Sequence, residues 1–136
     1  MNNELQKKFY SKERNNKKTI MVCIDEPKIG MIFTKLLSPV AEVIVVNNNE
    51  FIWEYEEKTI FCKEPVDVVF LGVLMDGMDG FLIMKDILNF NEKQIVCSIS
   101  KKEENELFKI MFQNTSHIKL PIDFNNFFEV CLKLDI

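Results

Sequence analysis

Residues 66–80 read VDVVFLGVLMDGMDG. The first six are β-branched or apolar apart from one aspartate, and the run is too short for a helix. This predicts a strand over 66–71, buried on both faces because apolar and polar residues do not alternate. At Gly72 the run passes into a tight, acidic, glycine-bearing loop, at the kind of strand end where α/β proteins keep their chemistry. Yet Gly72 has no side chain to do chemistry with.

Working outward, the same kind of run recurs. TIMVCI (19–24), VAEVIVV (40–46), QIVCSI (94–99) and HIKL (117–120) are short, β-prone and bounded by turn or helix-start residues. Between them lie helical periodicities. Ile29, Ile32, Phe33, Leu36 and Leu37 share one face of a helix that starts near Pro27. A more polar second helix begins at NNNEFIWEYEEK (47–58). A third runs from an Asp79 N-cap to about Phe90, with Phe81, Met84, Ile87 and Leu88 inward. The fourth, KKEENELFKIMFQ (101–113), places acids in its first turn. Asp123 caps a fifth, whose apolar stripe is Phe124, Phe127, Phe128, Cys131 and Leu132. Five strand–helix units imply an α/β, flavodoxin-like (βα)5 fold: a doubly wound, parallel five-stranded sheet of order 2-1-3-4-5 with helices on both faces.

Composition excludes several functions. The 136 residues, 47% hydrophobic, suffice for one ordinary domain. Residues 1–18 carry six Lys/Arg against two Glu, so of the 17 basic and 21 acidic residues the remainder holds 11 and 19, a net charge of −8. An acidic body argues against a nucleic-acid partner. The basic segment 1–18 lacks sustained apolar periodicity and reads as a mobile tail or a short frayed helix, leaving 19–136 as the domain. Cys23, Cys62, Cys97 and Cys131 form no CxxC pair, and with a single histidine in the chain no metal site is expected. Cys23 and Cys97 lie in apolar runs and read as buried thiols of a reduced compartment. No apolar run is long enough to span a bilayer and no signal core is present, so a soluble cytoplasmic protein without a membrane partner is expected. No phosphate-binding glycine loop and no Ser-His-Asp or Cys-His set supports an enzyme.

Four strand ends carry a resemblance that covers 19–136. IMVCIDEP (20–27), DVVFLGVLMDGMDG (67–80), CSI (97–99) and KLP (119–121) resemble, in order and spacing, the receiver domain of bacterial two-component response regulators. In that family two acids after strand 1 and an aspartate at the tip of strand 3 hold Mg²⁺, and the aspartate accepts a phosphoryl group. A Ser or Thr and a Lys then contact that group and repack the face of helix 4, strand 5 and helix 5. The resemblance puts Ile24 at the first acid position, Asp25 at the second, Gly72 at the phosphoacceptor, Ser98 at the Ser/Thr and Leu120 at the lysine. It thus implies a vestigial site, of Ile24, Asp25, Glu26, Gly72, Ser98 and Leu120, in which Ser98 alone keeps a phosphoryl-sensing side chain.

A glycine cannot form an aspartyl phosphate, and the loss of two of three carboxylates leaves little to hold Mg²⁺, so no catalytic residue and no cofactor are expected. Lys119 is turned away from the site by strand alternation. Asp25 and Glu26 read as structural carboxylates at a helix start. A phosphoacceptor rebuilt at Asp76 or Asp79 is the weakest alternative, because these residues read as a turn residue and a helix cap.

The implied function is a phosphorylation-independent, receiver-like signalling module acting by protein–protein interaction, on a protein partner or a second copy of the chain. No output domain is expected after the last helix. The candidate interface residues are Phe108 and Phe112, an i, i+4 pair on the fourth helix, and His117, at the aromatic switch position of strand 5. The alternative is a small-molecule-sensing pseudo-receiver that uses the emptied acidic pocket, unless Ile24 and Leu120 fill it.

Overall fold

The structure, a computed structural model, describes residues 4–73, 80–101 and 116–136. Its strands are β1 (Lys18–Cys23), β2 (Ala41–Val46), β3 (Val68–Gly72), β4 (Val96–Ser100) and β5 (Ser116–Lys119). The helices are α1 (Glu4–Ser11), α2 (Pro27–Leu37), α3 (Phe51–Glu56), α4 (Gly80–Phe90) and α5 (Phe124–Lys133). All strand pairings are parallel, in the order β2-β1-β3-β4-β5, as the strand–helix alternation predicts. The central strands β3 and β4 are buried along their whole length, which is why their sequences do not alternate.

One layer of the core is aromatic. Phe33 of α2 meets Phe70 of β3 at 5.0 Å and Phe127 of α5 at 5.3 Å between ring centroids, so these two helices cover the face of the sheet that carries Phe70. Pro27 opens α2, where a missing N–H costs nothing. Asp123 caps α5 by accepting from the backbone N–H groups of Asn125 and Asn126. Two local expectations shift. Phe124, assigned to the inward stripe of α5, is half exposed. The second helix continues beyond Glu56 as one π-turn, Glu57–Phe61.

The main correction concerns the amino terminus. Residues 4–11 form a short helix, one of the two readings of this segment, but it is docked rather than frayed or mobile. Phe9 is fully buried, packed on Tyr10 and Phe128, and Tyr10 donates its hydroxyl to the Leu36 carbonyl oxygen. The Arg14 guanidinium lies 4.8 Å from the Phe9 ring centre and donates to the carbonyl oxygens of Phe9, Lys12 and Ile136. Lys12 pairs with Asp135. The basic residues therefore hold the two chain termini together.

Cys23, Cys97 and Cys131 are buried and Cys62 is exposed, all as free thiols. Burial, joined by the charge of Asp25, pushes the Cys23 thiol up to about 12, and burial alone does the same for Cys131. A folded-state value above the ordinary 9.0 means that the neutral thiols favour the fold fully below that pH. That contribution declines as pH rises from 9.0 toward 12. Titration of the native protein with a chromogenic disulfide should accordingly modify Cys62 quickly and the other three only on unfolding. Equal rates for all four would contradict the burial.

Candidate functional site

The carboxyl ends of the strands build one row of side chains. Register pairs Gly72 of β3 with Ile99 of β4, and Ile99 with Ile118 of β5. The Ile24 N–H continues the row beyond β1 by donating to Val46 O. Leu120 lies two residues beyond Ile118, on the same face. Ile24, Ile99 and Leu120 are all buried, so the surroundings of Gly72 at this end of the sheet are apolar.

Ser98 is not in that row. It pairs with Leu71 and His117, and alternation turns it to the opposite face from Gly72. Its fully buried hydroxyl lies 2.7 Å from His117 Nδ1 and 3.3 Å from the Ser116 carbonyl oxygen. The expected grouping of Ser98 with Gly72 and Leu120 is thus corrected, and the residue beside Gly72 is Ile99. Motif spacing could not reveal this, since one residue of register moves every side chain of a strand to the other face. His117 is half-buried and engaged with Ser98, so it is not a free surface residue.

The two acids occupy the rim. The exposed Asp25 accepts from the Asn48 backbone N–H at 2.7 Å, tying the β1 end to the segment after β2. Glu26 stands at the N-cap position of α2 without a side-chain cap bond. Ile24, Gly72, Ile99 and Leu120 carry no side-chain oxygen, and among the described residues the carboxylates at this rim are Asp25 and Glu26. Among the described residues no cluster of three His, Cys, Asp or Glu side chains could hold a metal ion. Asp76, Asp79, Phe108 and Phe112 lie outside the described residues.

Next to the row is a half-open cleft of about 390 Å³. Ile29 and Ile32 of α2 form one wall, and Leu120, Pro121 and Ile122 after β5 form the other. Glu26, Lys28 and Lys101 stand at its edges. The Leu120–Pro121 peptide is cis. Leu120 is buried in the row and also lines this cleft. Periodicity assigned Ile29 and Ile32 to the helix core, and nothing local marked them as one side of a cleft.

A parallel five-stranded 2-1-3-4-5 sheet is the flavodoxin-like fold, which CheY-like receivers share. The solved structures it is similar to include receiver domains and CheY proteins. Chemotaxis protein CheY4 of Vibrio cholerae matches with a TM-score of 0.72 at 15% identity, over 88% of this chain and 99% of that one. CheY in the CheX–CheY–BeF3–Mg²⁺ complex of Borrelia burgdorferi matches at 0.71 and 18% identity, over 88% and 90%. Response regulator TrrA of Thermotoga maritima, in complex with Mg²⁺–BeF, matches at 0.67 and 20% identity, over 86% and 98%. At these identities the likeness establishes the fold. Neither the protein-family models nor the curated proteins yield a match. No helix among the described residues is long and apolar enough to cross a membrane.

Proposed function

We propose that the chain is a receiver-like signalling module that works without phosphorylation and acts by binding a protein partner through a surface that includes β5 and α5. The observation that carries this reading is Gly72. It ends β3 at the position that the receiver resemblance gives to the phosphoacceptor, and its neighbours across the sheet are apolar. A phosphoryl group would have no carboxylate to attach to and no paired cation to balance it, whereas phosphoryl transfer depends on that charge neutralisation. What such a domain retains is a surface. Phe124 at the start of α5 is half exposed.

The test uses beryllium fluoride with Mg²⁺, the mimic bound to two of the similar proteins. Amide resonances of Ile24, Gly72, Val73 and Ile99 should not move, and intact mass should be unchanged after acetyl phosphate treatment. Partner association should survive chelation of Mg²⁺. Mg²⁺-dependent shifts at these amides, or a phosphoryl adduct, would overturn the proposal.

A further inference from the structure

We infer that the cleft between α2 and the residues after β5 binds a small amphipathic acid, with an apolar body and one carboxylate. The reading stands on the cleft and is tested separately from the partner surface proposed above. Volume comes first: about 390 Å³ lies within the range of roughly 300–1,000 Å³ typical of small-molecule sites. Shape and chemistry follow. Ile29, Ile32, Leu120, Pro121 and Ile122 offer a mostly hydrocarbon lining from two separate elements, so an alkyl or ring body placed there is removed from water on two sides.

The rim selects the head group. Among the described residues that line the cleft, Lys28 and Lys101 face a single acid, Glu26, a local excess of positive charge on a body whose net charge is otherwise strongly negative. Neither lysine is in an ion pair among the described residues. Because Glu26 makes no side-chain cap bond, the first-turn amides of α2 are also left for an anion. A cationic amphiphile would meet two lysines at that rim, and a neutral one would leave both without a partner.

Decanoate is a suitable probe, with decanol and decylamine as equal-length neutral and cationic controls, all below their micelle concentrations. Decanoate should raise the melting temperature saturably, since a ligand of the native state stabilises it by mass action. It should also shift the amides of Ile29 and Ile122. Decanol should bind more weakly and decylamine not measurably. The double variant Lys28→Gln, Lys101→Gln should weaken decanoate about tenfold, the equivalent of two modest ion pairs. Ile32→Asp, at a half-buried position that lines the cleft, should abolish binding. The inference is overturned by absence of saturable decanoate binding, by decylamine binding as tightly, or by indifference to both variants. Because none of these measurements involves Mg²⁺ or a partner, failure here leaves the proposed signalling role untouched, and the converse also holds.

Discussion

Phe9→Ala should destabilise the protein by about 3–5 kcal/mol, the usual cost of removing a fully buried phenylalanine. The ring is completely shielded from solvent between Tyr10, Phe128 and the Arg14 guanidinium. Its removal forfeits apolar burial, the edge-on contact with Tyr10 and the cation contact together. Against the 5–15 kcal/mol that typically separates folded from unfolded domains, such a loss is large. Urea unfolding followed by far-ultraviolet circular dichroism measures it, with an unchanged dependence on denaturant showing that the folded state remains one cooperative unit. A loss under about 0.5 kcal/mol, the range of ordinary surface changes, would mean that α1 is an appendage after all. Tyr10→Phe supplies the scale. It removes only the hydrogen bond to Leu36 O and should cost about 1 kcal/mol.

Gly80→Ala is the second large effect, and helix propensity gets its sign wrong. Alanine is favoured over glycine by about 1 kcal/mol inside a helix, which makes the substitution at the start of α4 look stabilising. In the structure α4 begins directly against the end of β3. A Cβ on Gly80 would collide with the Gly72 carbonyl oxygen and lie 2.6 Å from Val73 Cγ1 and 3.0 Å from Val73 Cα. Two of those atoms are backbone and cannot rotate away, so either the helix or the strand must shift. The expected result is a net loss of about 3 kcal/mol, at the upper end of overpacking costs, read in the same denaturation experiment. A variant as stable as the parent would show that α4 does not start this close to β3. The final glycine of the quoted loop thus serves a close approach of helix to strand, and Gly72 lies on the other side of that contact.

How much of this was legible without coordinates depends on distance along the chain. The five strands and the inward faces of α2 and α4 follow from apolar runs and 3.6-residue spacing, which involve neighbours only a few positions apart. The apolar character of Ile24, Gly72 and Leu120 was equally open to inspection. Ser98 illustrates the limit. Its place near the end of a strand is local information, but the face it turns to depends on register against β3 and β5, and those strands lie tens of residues away. The docking of α1 shows the same limit from the other side. Leu5, Phe9 and Tyr10 are too few to make a periodic stripe, and the surface that holds them, Phe128 and Leu36, is supplied by segments that no local pattern links to the amino terminus.

Local patterning alone was therefore enough for the class of fold and its strand order, because burial periodicity is a property of each segment by itself. Tertiary structure decided that Ile99 rather than Ser98 stands beside Gly72, that the basic amino terminus is part of the core, and that Leu120 borders an open cleft. Each of these depends on which distant surfaces meet, a sum of many weak contacts that close only when the whole chain is folded.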